Sequence, residues 1–473
     1  MKYPEITLTL TKSQQSKITD SLFNGSGNER VIFLLCGRRA GISTHRLLVH
    51  EVIPLPEDAY VFQSEVTVKW KTSWMDALLT KAEKNHLAIV KVHNHPAGAR
   101  GFSSLDDESD STIFASIHQY VNDQLPHVSV IMSPCGDMLG RAIHADDSMS
   151  MLNRITVIGD SIEVLHPTLS DCTTPEFTRR HTQVFGNRTM QTLMGMSAAI
   201  IGCSGTGSPV IEQLVRLGVR KVVLIDPDTV EEKNINRIIH ATMDDAIKGR
   251  LKVDVISNAI ERIGLGTDVD TFAVNICESR EAIQAVGECD IIFGCTDSIE
   301  SRDILNVISR YYLIPYIDMG VRIDADADAN GGVKVATNVV NYIRPDQSSL
   351  LSRQAYTQER LEAESMRRTH PELYEERRKL NYIHNAPDVD RPAVASINMF
   401  TASLALMEFL ARIHPYRIDA ENGTHARTQF NFRAWMLVSD SEMGPEEIDE
   451  GLLTRLGRGD TEPLLDMIAL GEI

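Results

Sequence analysis

The stretch "SAAIIGCSGTGSPVIEQLVRLGVRKVVLID", Ser197 to Asp226, constrains this chain more than any other. Ala198 to Ile201 is a short apolar run, Ser208 to Leu217 has apolar residues at helical spacing, and Val222 to Ile225 is short and apolar again. Gly202, Gly205 and Gly207 lie between the first run and the helix. Glycine lets the backbone turn tightly and approach a phosphate at a helix N-terminus, where unpaired amides favour an anion. Strand, loop, helix and strand in this order predict a parallel sheet covered by helices. Asp226 ends the second strand, where a carboxylate can hold ribose hydroxyls. Ser204 stands in place of the usual middle glycine, so the loop alone is a weak sign.

The residues that follow narrow the chemistry. "LIDPDTVEEKNINR" brings Asp226, Asp228, Asn234 and Arg237 together; Lys252 follows in "KGRLKVD", then Asp297 and Arg302 in "FGCTDSIESR". Hydride transfer has no need of this density of charge, whereas ATP chemistry does. Arg237 and Lys252 can hold a polyphosphate, and Asp297 can hold Mg²⁺. Together these positions resemble the ThiF/MoeB and ubiquitin-activating adenylation domain over about residues 175–415. The resemblance implies a Rossmann-like α/β fold with a mostly parallel sheet, and ATP and Mg²⁺ as cofactors. The implied substrate is a ubiquitin-like or sulfur-carrier protein whose C-terminal glycine carboxylate is joined to AMP. On that basis Gly202, Gly205, Gly207, Asp226, Asp228, Asn234, Arg237 and Lys252 bind nucleotide, with Arg237 and Asp297 catalytic. The family also implies a homodimer across which Arg180 (or Arg179) reaches ATP, and an E2-like or other acceptor protein. Two departures stand out. No cysteine follows Cys295, and "PDQSSLLSR" carries serines where such relatives often have zinc-binding cysteines. A structural zinc is therefore not expected, Cys203 and Cys295 read as small buried residues, and Cys172 is left as the candidate thioester thiol.

A second signature lies upstream in "VKVHNHPAGARGFSSLDDES", residues 90–109. In a strand, residues two apart share a face, so His93 and His95 can present two imidazoles to one metal. Pro96 ends the strand, Ser103 and Ser104 are good helix caps, and Asp106 falls in the next first turn. Two histidines, a carboxylate and one open position suit tetrahedral zinc. Each piece alone has a plainer reading, as surface histidines, a helix cap and a carboxylate favoured by the helix dipole. The joint spacing resembles the JAB/JAMM metalloprotease signature, over roughly residues 5–150. That resemblance implies an α+β JAB/MPN (cytidine-deaminase-like) domain with Zn²⁺ on His93, His95 and Asp106. It gives Ser103 the role of steadying an oxyanion and nominates Glu29 in "NERVIFLLCG" as general acid/base. Cleavage after the C-terminal glycine of a ubiquitin-like protein is the implied reaction.

A chain of 473 residues exceeds one ordinary core. The expected division is a peptidase-like domain over 1–160, a linker over 161–178 and an adenylation domain over 179–473, with a charged helical insertion at about 347–390. Asp326, Asp328, Asn330 and Gly331 match the start of a calcium loop, but Thr337 occupies the position that needs a bidentate glutamate. A hairpin tip is expected there. The formal charge of −18 argues against nucleic-acid or anionic-membrane partners. There is no long apolar span or leader-like start, and the seven cysteines are scattered, so a cytoplasmic location is expected. Together the two resemblances describe a bacterial-type fusion acting on one end of one kind of substrate, in a ubiquitin-like conjugation or anti-phage defence pathway. The alternative is processing and activation of a sulfur carrier for thiocarboxylate formation in cofactor or thio-metabolite synthesis. A non-catalytic scaffold is a third reading, against which the complete ligand and nucleotide sets count.

Overall fold

Short apolar runs become the central strands of two separate sheets in a computed structural model of the chain. The structure describes residues 4–99, 101–166, 174–325, 331–379, 392–418, 425–440, 448–461 and 464–465. Cys172, the loop residues Asp326, Asp328 and Asn330, and the end of the charged insertion (380–391) lie outside the described residues.

One unit groups Met1–Asp171 with Arg310–Leu313 and Arg455–Thr461. Its strands are β1 (Glu5–Thr11), β2 (Val31–Ala40), β3 (Thr44–Pro54), β4 (Tyr60–Gln63), β5 (Val68–Trp70), β6 (Ala88–Asn94), β7 (His127–Met132), β8 (Met138–Ile143), β9 (Met149–Met151), β10 (Arg154–Ile158) and β11 (Ile162–Leu165). All but the small β4–β5 hairpin join one mixed sheet in the order β11-β10-β1-β3-β2-β6-β7-β8-β9. "VIFLL" is apolar throughout because β2 is buried on both faces. Ile32 and Leu34 pack with α1 (Lys12–Leu22), while Val31, Phe33 and Leu35 pack with α2 (Met75–Lys84) and α3 (Ser104–Val121). Along α3, Asp110, Phe114, Ile117 and Val121 are buried at four-, three- and four-residue spacing. Tyr120 falls off that stripe and is exposed, its hydroxyl 2.9 Å from Thr80 Oγ1.

The C-terminal segment departs from the expected division, in which 179–473 forms one body. Beyond Cys36, β2 has no β6 partner, and Gly457–Gly459 takes up that free edge. Gly37 N donates to Gly457 O at 3.0 Å, and Asp460 N donates to Arg38 O at 2.8 Å. A Cβ on Gly457 would lie 2.2 Å from Val49 O, and its φ is +67°.

The other unit comprises Cys172–Ser309, Ile314–Thr454 and Glu462–Ile473. Its strands are β12 (Ser197–Ile201), β13 (Lys221–Ile225), β14 (Asp268–Phe272), β15 (Ile291–Gly294), β16 (Tyr316–Ala325), β17 (Val333–Ile343), β18 (Arg427–Asn431) and β19 (Met436–Asp440). They run in the order β14-β13-β12-β15-β16-β17-β18-β19, parallel up to β16 and antiparallel beyond. The helices are α4 (Arg179–Gly195), α5 (Gly207–Leu217), α6 (Met243–Lys248), α7 (Lys252–Ile263), α8 (Arg280–Gly287), α9 (Ile299–Tyr312), α10 (Gln358–Thr369), α11 (Pro371–Lys379), α12 (Ala395–Ile413) and the short α13 (Glu450–Leu453). Val210 and Leu214 of α5, Val253 and Ile256 of α7, and Leu406 and Phe409 of α12 cover the sheet. Strand order reverses between β12 and β15, and in such sheets a ligand binds in the crevice outside that switch point. The charged insertion forms α10 and α11, and α10 is held by ion pairs of Arg368 to Glu300 and Glu278. In the serine-bearing segment, Ser349 Oγ donates to Asp449 Oδ2 at 2.8 Å. Among the described residues, no helix is long and apolar enough to cross a membrane.

Gly457→Ala should therefore cost at least about 2 kcal/mol, combining positive-φ strain with a clash against backbone. Gly27→Ala, with φ +71° and nothing within 4 Å of its added Cβ, should cost only about 1 kcal/mol. Urea unfolding of both variants checks this; equal losses would contradict the packing described.

Candidate functional site

The crevice between β12 and β15 is shaped by glycines, two of which, Gly202 and Gly207, have backbone where a side chain would have to be. Gly202 has φ +96°, and a Cβ there would lie 2.6 Å from Cys295 O, so the loops after β12 and β15 touch. A Cβ on Gly207 would fall 1.8 Å from Gly202 O, because the loop closes on itself before α5 begins. Gly205 lies under two side chains. Its Cβ would meet Asn398 Nδ2 at 2.3 Å and Arg237 Cδ at 3.1 Å, so the Arg237 stem crosses the loop. Asp226 is buried, accepts from Cys203 N at 2.7 Å and from Asp228 N at 3.0 Å, and burial raises its pKa despite Lys252 nearby. Lys252 Nζ lies 2.7 Å from Asp228 Oδ2 and 3.7 Å from Asp226 Oδ1. Asn234 is buried and caps its own turn, its Oδ1 accepting from Glu231 N at 3.0 Å. Asp297 is exposed on the loop joining β15 to α9.

One residue departs from the expected cluster of charges. Arg302 does not face the phosphate loop: it donates to Asp318 at 2.8 and 2.5 Å, and Tyr316 and Asn341 complete that carboxylate's shell. Arg180 is exposed in the first turn of α4, in a cleft with Glu176 and His181. Sequence reasoning missed Asn398, which sits inside what reads as a plain core helix, "VASINMFTASLALMEFLARI".

In the N-terminal unit, Ser103 caps α3. Its hydroxyl accepts from Asp106 N at 3.2 Å while its backbone N donates to Asp106 Oδ2 at 2.7 Å, forming a capping box, and the hydroxyl also donates to Asp106 Oδ2 at 2.7 Å. Asp106 Oδ1 lies 2.9 Å from His93 Nε2, Asp106 Oδ2 lies 3.6 Å from His95 Nε2, and the two Nε2 atoms are 3.1 Å apart. His95 Nδ1 donates to Ala99 O at 3.1 Å, so the neutral ring turns its Nε2 lone pair into this group and the protonated ring turns an N–H there, towards Asp106. Burial opposes ionisation of Asp106, but the bonds from His93 and His95 hold it well below the usual carboxylate range. Burial lowers the pKa of His93, whereas the bond to Asp106 raises that of His95. Glu29 sits near enough to feel both His95 and Asp106, and burial pushes its carboxyl up to about 7. Its backbone is gripped by the β4–β5 hairpin, Glu29 N donating to Ser64 O at 2.7 Å and Gln63 Nε2 donating to Glu29 O at 3.2 Å.

The model of the ThiF family matches residues 178–440. This chain belongs to the ThiF family. Over 135 residues it is 29% identical to "Adenylyltransferase and sulfurtransferase UBA4" of Meyerozyma guilliermondii, covering 28% of this chain and 31% of that protein. Over 147 residues it is 29% identical to "Ubiquitin-like modifier-activating enzyme 5" of Arabidopsis thaliana, covering 27% and 33%. Over 127 residues it is 28% identical to "SAMP-activating enzyme E1" of Haloferax volcanii, covering 26% and 45%. The matches span about a third of the length of the first two relatives and less than half of the third. Among solved structures, E. coli MccB with MccA-N7isoASN overlaps at a TM-score of 0.44 and 19% identity, covering 57% of this chain and 73% of that one. Within the described part of the ThiF-family match, Cys203, Cys277 and Cys289 are buried and Cys295 is partly so. Burial pushes the thiols of Cys203, Cys277 and Cys295 up, away from the reactive thiolate.

One more trio in the N-terminal unit, His118, Asp123 and His127, is close enough to suggest a metal. Its hydrogen bonds argue otherwise. His127 Nδ1 accepts from Ile89 N at 3.0 Å, so its proton sits on Nε2, 3.7 Å from Asp123 Oδ1, and that nitrogen has no lone pair to give. Burial lowers its pKa to about 4. The unfolded chain, with an ordinary histidine near 6.5, therefore binds more protons than the folded one between pH 6.5 and 4. Stability due to His127 is complete above that window and is lost as pH falls through it, by up to about 3 kcal/mol. The urea midpoint should drop from pH 7 to 4.5, and His127→Gln should show a smaller drop; identical pH slopes would contradict the assignment.

Proposed function

We propose that this chain uses ATP to adenylate the C-terminal carboxylate of a small ubiquitin-like or sulfur-carrier protein. Family membership supports the reaction class, and the relatives' names include both ubiquitin-like activation and sulfur transfer. One observation carries the reading: Arg237 lies across Gly205, beside a loop whose other wall is the Cys295 carbonyl and whose neighbours are Asp226 and Lys252. The loop amides and the start of α5 would cradle the polyphosphate, and Asp226 would hold ribose hydroxyls. Lys252 would exchange its carboxylate partners for phosphate oxygens, as Arg237 lines the same path. Asp297 would hold Mg²⁺, which neutralises phosphate charge when bound. A carrier carboxylate oxygen then bonds to the α-phosphorus, and the bond to the departing pyrophosphate breaks. Among the described residues of this unit Cys203, Cys277 and Cys289 are buried and Cys295 partly so, and on this reading the acyl adenylate passes to an external nucleophile. Arg180 would act on a partner copy's nucleotide in a homodimer.

A second reading concerns the N-terminal unit and rests on the facing imidazoles. Nitrogen atoms 3.1 Å apart, with a carboxylate at 2.9 and 3.6 Å, approximate the ligand separations of about 3.3 Å that tetrahedral zinc imposes. His93, His95 and Asp106 would hold it, and bound zinc would supply the Lewis acid that activates water and polarises a peptide carbonyl. Glu29, kept partly protonated near neutral pH, would move the proton from water to the leaving amine. Ser103 spends its hydroxyl on Asp106, so its first role is to hold that ligand. Such a site would expose or release the same glycine carboxylate that the ThiF unit activates.

Carrier-dependent exchange of pyrophosphate into ATP tests the main reading. Asp297→Ala and Arg237→Ala should each lower exchange by about two orders of magnitude or more, with the fold intact by circular dichroism. Undiminished exchange in both variants would rule out this site. For the second reading, His95→Ala should lose zinc and cleavage of a glycine-tail extension, and Glu29→Gln should keep zinc yet not cleave; full cleavage by both would sink it.

A further inference from the structure

The seam between β6 and α3 changes chemistry in steps. On β6, Ile89, Lys91, His93 and then His95 stand on the face turned to α3, since residues two apart in a strand point the same way. On α3 the facing stripe runs Ile117, Phe114, Asp110 and Asp106, at three- and four-residue spacing. Ile89 meets the apolar part of that stripe, Lys91 is ion-paired to Asp110, and His93 and His95 meet Asp106. The spacings match: two strand residues advance about 6.6 Å and four helix residues about 6.0 Å. Two polar rungs one step apart on each element therefore fix the register of helix on strand.

The rung at Lys91 is unusual in its burial. Lys91 is 4% and Asp110 0% exposed, in a strand that otherwise reads as apolar. Asp110 also accepts from Arg141 Nε at 3.0 Å and Nη2 at 2.7 Å, and Arg141 bonds Asp107 and stacks 3.9 Å over the Phe102 ring. Arg141 belongs to β8, so a third element grips the same helix turn. Desolvating a carboxylate and two cations is costly, and an apolar residue at Lys91 would serve the core as well. The arrangement is explained if this turn of α3 must be held in one place.

We propose that the Lys91–Asp110 ion pair, clamped by Arg141, is a positioning device that sets the register of α3 on β6 and so places Asp106 against His93 and His95. Lys91 touches neither substrate nor ligand; it acts through Asp106. The inference rests on the zinc reading of that trio. The full-length chain is titrated with zinc against a chromophoric chelator, as wild type, Lys91→Met, Asp106→Ala and the double variant. Lys91→Met leaves Asp110 paired with Arg141, so no charge is orphaned and the fold should hold. Zinc affinity should fall at least about tenfold in Lys91→Met. In the Asp106→Ala background the same substitution should change affinity by less than about twofold, since what Lys91 positions is gone. A general loosening of the domain would instead lower affinity in both backgrounds alike, and that result overturns the proposal. Wild-type protein that binds no zinc overturns the zinc reading and the proposal together, whereas zinc-binding wild type with an unaffected Lys91→Met overturns the proposal alone. Should Lys91→Met fail to fold, Asp110→Asn keeps the size and an acceptor for Lys91 and carries the same double-variant test.

Discussion

The closure of the loop from Gly202 to Gly207 is the contact on which the ThiF unit depends. The carbonyl of Gly202 sits where a side chain on Gly207 would have to be, and the Cys295 carbonyl fills the space beside Gly202. That double exclusion brings the ends of β12 and β15 and the start of α5 to one point. Three side chains proposed to meet the nucleotide are arranged around it: Asp226 through its bond to Cys203 N, Lys252 through its carboxylates, and Arg237 by lying over Gly205. Amides gathered at a helix start form a ready anion site, so under the proposed reading the backbone, rather than any side chain, would supply the phosphate cradle. Next to this crevice Asp318 of β16 takes donors from Arg302, Tyr316 and Asn341 and ties the first turn of α9 to β16.

The N-terminal unit solves a different problem. Two imidazole nitrogens face each other with a carboxylate beside them, and an uncharged pair of lone pairs would repel. The cost is borne by a helix held at three points: the Ser103 capping box, the Asp110 ion pair and the Arg141 clamp. Glu29 is fixed separately, through its backbone, by the β4–β5 hairpin. Asp106 and Glu29 thus rest on independent supports, so either can be perturbed without moving the other.

Much of this was legible in the sequence. Loop glycines, strand-end carboxylates and caps leave local signatures because local geometry demands particular residues: "GCSGTG" for the tight turn, Ser103 with Asp106 for the helix start. The longer-range devices were hidden. Lys91 reads as one lysine in an apolar strand; its partner lies nineteen residues on in α3 and the clamp a further thirty-one away in β8. Asn398 is polar in an apolar helix and is explained only by Gly205, far away in sequence. Arg302 stands in sequence among charges read together as suited to ATP, whereas in the fold a buried aspartate on β16 holds it. Gly457 and Gly459 gave no sign of filling an open edge of β2, since an edge exists only once the sheet is formed.

The proposed reaction splits ATP between its α- and β-phosphates to activate a protein's terminal carboxylate. Its most direct test is the identity of the products when the full-length chain is mixed with ATP, Mg²⁺ and a small ubiquitin-like or sulfur-carrier protein ending in glycine. Intact mass spectrometry of that carrier should show a gain of one AMP, converted by hydroxylamine to the carrier hydroxamate, with pyrophosphate released. Release of ADP or orthophosphate from the nucleotide, with the carrier mass unchanged, would contradict the account.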